Sequence, residues 1–241
     1  MLYIRKKTEP RELTQAKRNG LQDYDTMPTD LKDIIRQQLL TEQGYLCAYC
    51  MRRINLDTVQ IEHYIAQHPT DGDYDPALTI DYSNMLGVCP GNKCQGLPAK
   101  YLTCDQHRKN IPLTVDPRKA ESIAAIQYRA DGVIFSNIPS INEDIQTTLN
   151  LNCAAVHLPE NRKAALDALK KKIFLDCKDK AATKSYFQRL YSSLCNKDTL
   201  SEYLGILLAS IFRQKQITSE KFGKSGFSKS RFSQKITVSK K

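Results

Sequence analysis

The sequence lacks any apolar run close to the ~20 residues that a membrane-spanning helix needs. Its opening segment, MLYIRKK, also lacks the apolar stretch of a secretory signal. These two absences predict a cytoplasmic protein without a membrane partner, in a compartment that keeps thiols reduced. The 241 residues are enough for one large domain or two small ones, and no internal repeat divides them.

Acidic residues are almost missing from the end of the chain. Residues 213–241 carry +8 of the formal net charge of +10, because they contain nine Lys/Arg and a single acid, Glu220. A basic charge favours nucleic acid or another polyanion as a partner, and here that argument applies mainly to the tail. We predict a basic disordered tail, which either solubilises the chain or stacks its phenylalanines on bases.

The patterns before the tail predict an α+β protein with three regions. Residues 1–28 are polar and are predicted to form an irregular arm. Residues 29–118 begin with a helix that starts near Thr29 and stops at Gly44, and a cysteine-rich core follows. Residues 119–212 are predicted to form a β-hairpin with a turn at 130–132, and then helices. The apolar stripes of these helices suit the core or a partner-facing surface, and the core is favoured.

Eight cysteines in a reducing compartment are not expected to form disulfides. Five of them fall in one stretch and are typical of metal binding: Cys47, Cys50, Cys89, Cys94 and Cys104. The other three lie in apolar patterns and are predicted to be small buried hydrophobic residues: Cys153, Cys177 and Cys195.

Cys47 and Cys50 form a CxxC motif, whose two thiolates can reach one ion from a single tight turn. A tetrahedral zinc site needs two further ligands, for which Cys89, Cys94, Cys104 and His107 are candidates. We favour Cys89 and Cys104, and leave Cys94 as a free thiol or a substitute ligand. Four thiolates leave no open coordination position, so the zinc is predicted to be structural.

A second group of polar residues lies between the two halves of the cysteine set. The alternation of Val59, Ile61, His63 and Ile65 predicts a short strand that contains the pair Glu62-His63. Neighbours on a strand point to opposite faces, so a twist or bend is needed for both side chains to serve one site. Asn84 precedes a second apolar segment that leads to Cys89.

At these residues the sequence resembles the HNH, or ββα-metal, endonucleases. That family has an acid–His pair on the first strand, an Asn before the second strand and a metal ligand at the start of a helix. Its zinc-bound members add a CxxC motif and further cysteines. The matching residues are Glu62-His63, Asn84 and Cys104-Asp105. Asp105 departs from the His or Asn common at its position, but it still supplies an oxygen ligand.

More specifically, the sequence resembles the PtuB-like HNH subunits of Septu and retron-associated bacterial anti-phage defence systems. The resemblance covers about residues 1–170 and is carried by the segments LLTEQG at 39–44, CAYCMRRI at 47–54, LGVCPGN at 86–92, Cys104-Asp105, Asp131-Gly132, LNLN at 149–152, Leu158 and Asn161-Arg162. Proteins of this group work beside a PtuA-like ATPase and, in some systems, a reverse transcriptase with its RNA–DNA product. The resemblance implies these partners here.

The resemblance also implies a zinc-stapled ββα-metal core and a role for each matched residue. His63 would be the general base that takes a proton from the attacking water. Glu62 and Asp105 would hold one divalent ion, Mg²⁺ or Mn²⁺. Asn84 would fix the loop and orient His63. His107 lies nearby and is a second candidate for contact with the metal or a phosphate.

The implied function is hydrolysis of phosphodiester bonds in DNA or RNA, with transfer RNA among the possible substrates, gated by the ATPase. Five side chains are candidates for phosphate contacts and equally for solvated surface: Arg52, Arg53, His107, Arg108 and Lys109. The alternative is a zinc-ribbon module that binds nucleic acid without cutting it. The basic tail and the departure at Asp105 favour that alternative.

Overall fold

We analysed a computed structural model of the chain. It describes residues 1–70, 75–94, 96–177 and 182–219, with side chains left out at 214–219. The predicted basic tail beyond Ser219 and the polar loop at 71–74 lie outside the described residues.

The described residues contain helices and two small antiparallel sheets. The helices are α1 (Arg11–Arg18), α2 (Thr29–Gln43), α3 (Pro76–Thr79), α4 (Cys104–Arg108), α5 (Ala120–Ala124), α6 (Pro139–Glu143), α7 (Leu158–Cys177), α8 (Lys184–Cys195) and α9 (Leu204–Ser219). The strands are β1 (Gln60–His63), β2 (Met85–Val88), β3 (Ile126–Tyr128) and β4 (Ile134–Ser136). A π-helical segment, Asp144–Thr148, continues α6.

The first sheet pairs β1 with β2, and the register places Glu62 opposite Leu86 and His63 opposite Met85. All four residues of β2 are buried. Helix α2 packs on β2, and the Gln43 side chain bonds both the carbonyl and the amide of Gly87 at 2.7 Å. The side chain of Gln43 therefore connects α2 to the buried strand β2.

Helix α2 ends where the sequence predicts. Its apolar side chains recur at helical spacing, and Leu31, Ile35, Leu39 and Leu40 are buried. The chain then turns at Gly44, which adopts φ +61° in the left-handed region that glycine tolerates. This turn directs the chain straight into the Cys47–Cys50 segment.

The N-terminal region differs from the predicted irregular arm. Helix α1 forms within it, and its Leu13 is fully buried in a second core cluster with α2 and β2 residues. Ile4 is also buried, and its amide donates to the carbonyl of Pro117 at 2.8 Å. Isolated apolar residues in a polar segment gave too weak a pattern to predict this packing.

The predicted hairpin is present, with Tyr128 paired to Ile134, but its first strand is shorter than expected. That strand was predicted to begin at Ile123, but Ile123 and Ala124 lie in α5 and the strand begins at Ile126. Gln127 pairs with Phe135 within the same ladder.

The helices after the hairpin belong to the main core rather than to a separate layer. One cluster joins Cys47 and Leu86 with Leu166, Leu190 and Ile211. The apolar stripe of α9 is therefore core, as favoured from its spacing. The apolar spacing of Leu166, Leu169, Ile173 and Phe174 predicts a similar stripe on α7, but it is incomplete, because Phe174 is 67 % exposed.

The segment before α9 is bonded directly to the CxxC turn. The amide of Tyr203 donates to the carbonyl of Met51 at 3.0 Å, and Leu200 donates to Gly44 at the same distance. The Arg53 side chain reaches the carbonyl of Leu200. Within the described ranges, no helix is both long and apolar enough to cross a membrane.

Gly132 provides a test of the contact between hairpin and α7. It has φ +89°, and an added Cβ would lie 1.9 Å from the carbonyl oxygen of Pro159. Gly20 has φ +98° but no atom within 4 Å of that position. We expect Gly20→Ala to lower the free energy of unfolding by about 1–2 kcal/mol through backbone strain alone. Gly132→Ala should lose about 1–3 kcal/mol more, because the clash adds to the strain. Urea unfolding measures both, and equal losses would contradict the described contact.

Candidate functional site

Four of the five clustered cysteines converge in the structure. Cys47 and Cys50 come from the turn after α2, Cys89 follows β2 and Cys104 begins α4. Their sulfur atoms all lie within 4.8 Å of one another, and all four side chains are buried. This cluster joins the segment before β1, the end of β2 and the start of the short helix.

The spacing of the sulfurs fits a tetrahedral ion. The Sγ–Sγ distances are 3.9 Å for Cys47–Cys104, 3.7 Å for Cys50–Cys89 and 3.8 Å for Cys89–Cys104. A tetrahedron with zinc–sulfur bonds of about 2.3 Å has edges of about 3.8 Å. The four cysteines can therefore hold a structural metal such as zinc.

Cys94 and His107, the two alternative zinc ligands, lie outside this cluster. Cys94 is exposed, and Nδ1 of His107 lies 3.1 Å from the carbonyl oxygen of Thr148. Of the scattered cysteines, Cys153 is buried as predicted, whereas Cys177 and Cys195 are only partly buried.

Local backbone geometry shapes the cluster. Met51 adopts φ +63°, and its amide donates to the carbonyl of Cys47 at 3.1 Å, which closes the CxxC turn. The Ala48 amide donates to the carbonyl of Gly87 at 3.0 Å, so the turn is attached to β2. Cys104 has φ +57°, and its amide donates to the carbonyl of Leu149.

Glu62 lies buried on one face of β1. Its Oε1 atom accepts hydrogen bonds from the hydroxyl of Tyr49, at 2.9 Å, and from the guanidinium of Arg108. Asp105, at the start of α4, lies beside this carboxylate. Burial and then the contact with Asp105 raise the pKa of Glu62 well above its ordinary value. Two neighbouring carboxylates that repel each other in a buried place are suited to share a cation.

Arg108 holds the end of α4 against the end of β1. Besides Glu62, it donates to the carbonyl oxygen of His63 at 3.2 Å and to that of Ile111 at 2.8 Å. Its guanidinium also reaches the carbonyl of Tyr64. The side chain is fully buried, so Arg108 is neither a surface phosphate contact nor a solvated surface residue, the two alternatives predicted for it.

His63 faces the opposite side of the strand from Glu62. Its Nε2 atom lies 2.8 Å from the carbonyl oxygen of Thr79. Since a carbonyl can only accept, Nε2 of the neutral ring carries the hydrogen and Nδ1 carries the lone pair. Burial lowers the pKa of His63, while the Thr79 carbonyl and the charge of Asp105 act in the opposite direction. Tyr24 packs edge-on against the ring, with centroids 4.8 Å apart.

Asn84 closes the loop between the two strands. Its Oδ1 accepts from the amide of Ile65 at 2.8 Å, and its Nδ2 donates to the carbonyls of Ile65 and Leu78 at 2.9 and 3.1 Å. Leu78 precedes Thr79, whose carbonyl holds the imidazole of His63. Asn84 thereby fixes the segment that orients the histidine.

The remaining predicted contacts have mixed outcomes. Arg52 donates to the sulfurs of the cysteine cluster, and Arg53 to the carbonyls of Gly44 and Tyr45. Lys109, which follows α4, is exposed. The sequence did not reveal three residues that contact Glu62 or His63, because each is separated along the chain from the residue it contacts and carries no motif of its own: Tyr24, Tyr49 and Thr79.

The chain is 31 % identical over 145 residues to a protein of Vibrio cholerae serotype O1 biovar El Tor named "Retron Vc95 putative HNH endonuclease". This similarity supports the HNH endonuclease family. The aligned region covers 58 % of this chain and 66 % of the relative, slightly under two thirds of its length. No protein-family model matches the chain.

Substitution of Cys104, with Cys94 as the comparison, tests which of these two cysteines is the fourth zinc ligand. Cys104→Ser should remove bound zinc and lower the melting temperature strongly, because a structural zinc site can contribute about 10–16 kcal/mol of apparent binding energy. Cys94→Ser is the matched control and should keep one zinc per chain. Metal analysis of the purified proteins reports the stoichiometry. Zinc retained by the first variant and lost by the second would reverse the ligand assignment.

The buried Glu62–Arg108 pair can be tested by a double-mutant cycle in urea unfolding. Glu62→Gln and Arg108→Met should each lower the free energy of unfolding by about 3–5 kcal/mol, because each leaves one buried charge uncompensated. The double variant should lose less than the sum of the two. The exposed pair Lys163 and Asp167, 2.5 Å apart, is the control and should show no measurable coupling. Additive losses at Glu62 and Arg108 would mean that the pair does not interact.

Proposed function

We propose that the chain is a metal-dependent HNH endonuclease that hydrolyses phosphodiester bonds of nucleic acid. One observation carries the proposal: Glu62 on β1 and Asp105 on α4 are neighbours, and His63 lies on the other face of β1, where Asn84 fixes the segment that binds it, next to four converging cysteines. The order and spacing of these residues match the HNH pattern, and the similarity to a retron-associated HNH protein supports the same assignment.

The carboxylates of Glu62 and Asp105 are the proposed ligands of a catalytic divalent ion. Oε1 of Glu62 already accepts hydrogen bonds from Tyr49 and Arg108. We therefore assign the other carboxylate oxygen, Oε2, to the ion that Glu62 would share with Asp105. Hard ions such as Mg²⁺ and Mn²⁺ prefer such oxygen donors. When bound, the ion would stabilise negative charge at the phosphate and on the leaving oxygen.

His63 is the proposed general base. Its hydrogen bond to Thr79 leaves the Nδ1 lone pair to accept a proton from the attacking water. Because burial lowers its pKa, the ring is neutral at neutral pH and can accept a proton. Asn84 acts as a positioning residue, because its bond to Leu78 fixes the end of α3, where the carbonyl of Thr79 binds His63.

The proposed substrate is DNA or RNA, including transfer RNA, since this chemistry does not require a 2′-hydroxyl. Lys109 is exposed directly after α4, the helix that contains Asp105. Among the five candidate phosphate contacts, it is the best placed. His107 is partly buried against Thr148 and is a weaker candidate.

We also propose that the nuclease works in a bacterial anti-phage defence complex, in the cytoplasm, beside a PtuA-like ATPase and a reverse transcriptase with its RNA–DNA product. The relative's name associates that protein with a retron. The apolar side chains of Phe174 and Leu175, which are 67 % and 57 % exposed near the end of α7, supply a candidate surface for a protein partner.

His63→Ala tests the catalytic assignment. We expect cleavage of DNA or transfer RNA to fall by at least about 100-fold, because a positioned general base contributes about 10²–10⁴-fold. The variant should keep its zinc, because His63 is not among the four cysteine ligands. His157→Ala, at an exposed position, is the matched control and should cleave at the wild-type rate.

The assay combines the chain with its ATPase partner, and runs in Mg²⁺ or Mn²⁺ with and without chelator. Cleavage that depends on the divalent ion and on His63 supports the nuclease. Salt-dependent binding of nucleic acid without any turnover would identify the non-catalytic binding module instead. Full cleavage by His63→Ala would remove His63 from the mechanism.

A further inference from the structure

We propose that Tyr24 is a positioning residue for His63: its ring packs on the imidazole, while its backbone holds the threonine that binds the imidazole. This role rests on the general-base function proposed for His63. It gives the segment between α1 and α2 a part in the site, and it requires no contact of Tyr24 with substrate or metal.

The two faces of the first sheet are covered by different parts of the core. Residues directly opposite each other in an antiparallel ladder share a face, so Glu62 lies with Leu86 and His63 lies with Met85. Leu86 belongs to the main core cluster, whereas Met85 belongs to the second cluster, which contains residues of α1 and α2. The His63 side of the site is therefore built on the N-terminal part of the chain.

Tyr24 lies between α1 and α2 and packs against this second cluster. Its ring contacts the imidazole of His63, with the ring centroids 4.8 Å apart and the ring planes at 83°. Perpendicular contact at this separation is one of the favoured arrangements of two aromatic rings. Since His63 is only 7 % exposed, the tyrosine ring is part of the cover that restricts rotation of the imidazole.

The backbone of Tyr24 holds the other partner of the imidazole. Its amide donates to Oγ1 of Thr79 at 3.2 Å, and the carbonyl of Thr79 is the group that binds Nε2 of His63 at 2.8 Å. Oγ1 of Thr79 in turn donates to the carbonyl of Pro76 at 2.8 Å. A single residue therefore contacts both the ring of the proposed base and the residue to which that ring is hydrogen-bonded.

Tyr24 is itself held from two sides. Its carbonyl accepts from the amide of Met27 at 3.1 Å, and the side chain of Met27 is buried in the second cluster. From α2, the ammonium group of Lys32 lies over the Tyr24 ring, 4.4 Å from its centroid. A cation in this position is attracted by the ring quadrupole. These contacts do not involve His63, so the tyrosine can act as an independent support for the imidazole.

His63 needs such a support because it ends a strand of only four residues. One hydrogen bond at Nε2 allows the imidazole to pivot about that bond, which would move Nδ1, the nitrogen proposed to accept a proton. A second contact, from the Tyr24 ring, opposes this motion. Misplacement of a reacting group by about 1 Å can cost about 10²-fold in rate, and functional side chains are held in place by packing as well as by hydrogen bonds.

Steady-state cleavage by the full chain with its ATPase partner, in Mg²⁺ or Mn²⁺, is the first test. Tyr24→Leu should lower kcat by about 10–100-fold and leave KM close to the wild-type value, because the base moves while the substrate contacts remain. Tyr24→Phe keeps the ring and should keep kcat. Tyr3→Leu is the matched control, since this partly buried tyrosine packs on the main cluster, and it should cleave at the wild-type rate.

Three kinetic results would overturn the positioning role. A rise of KM at constant kcat would make Tyr24 a substrate contact instead. A loss in Tyr24→Phe as large as in Tyr24→Leu would assign the effect to the hydroxyl group. Wild-type kinetics in Tyr24→Leu would remove the residue from the site.

Nuclear magnetic resonance tests the same role without any cleavage. The proton on Nε2 of His63 is hydrogen-bonded to Thr79 and should exchange slowly with water in the wild-type chain. Tyr24→Leu should speed this exchange by at least about 10-fold, because the imidazole is less firmly held, whereas Tyr24→Phe should not. Unchanged exchange in Tyr24→Leu would contradict the role of Tyr24. A wild-type chain that cleaves no nucleic acid, but whose imidazole responds in this way, would reject the nuclease and support the contact.

Thr79→Val tests the backbone link, and it replaces Tyr24→Leu if that variant does not fold. It removes Oγ1, the acceptor of the Tyr24 amide, but keeps the carbonyl that binds His63. We expect a lower kcat and faster Nε2 exchange, as in Tyr24→Leu. In the double variant the two losses should be less than additive, because both act through one contact. Additive losses would contradict the link between Thr79 and Tyr24.

Discussion

The convergence of four sulfur atoms is the constraint on which the rest of the site depends. Cys47 and Cys50 precede β1, Cys89 follows β2 and Cys104 opens α4, so one cluster joins the start of β1, the end of β2 that pairs with it, and the start of the helix. Strands of four residues and a helix of five are too short to be stable alone. Their relative positions, and with them the distance between Glu62 and Asp105, depend on the cluster and on the core packed behind it.

A second set of interactions, made by Arg108 and Asn84, positions the candidate side chains Glu62 and His63. Arg108 connects the end of α4 with Glu62 and with the backbone of His63, while Asn84 connects the start of β2 with the segment that binds the imidazole. Adjacent residues on β1 point to opposite faces, yet Asp105 acts on both: it adds to the burial that raises the pKa of Glu62, and it partly offsets the burial that lowers the pKa of His63. One carboxylate at the head of a helix therefore acts on both faces of the strand.

Much of this arrangement could be predicted from local patterns. The CxxC motif, the break at Gly44 and the alternation around His63 each follow from short-range rules, which is why α2, β1 and the favoured set of four cysteines could be proposed. The partners of the site could not, because Tyr24, Tyr49, Thr79 and Arg108 carry no pattern of their own and are recruited by packing. Arg108 illustrates the limit: a basic residue in a polar segment suggested a phosphate contact, but the structure buries it in an ion pair with Glu62. Helix α1 escaped prediction for the same reason, since its burial depends on distant residues.

X-ray absorption at the zinc edge of the purified chain is the most direct test of whether the four cysteine sulfurs bind one ion. The account predicts one zinc per chain with four sulfur neighbours at about 2.3 Å and no nitrogen or oxygen in the first coordination sphere. A sphere with three sulfurs and one nitrogen, or a chain that folds with no bound metal, would contradict it.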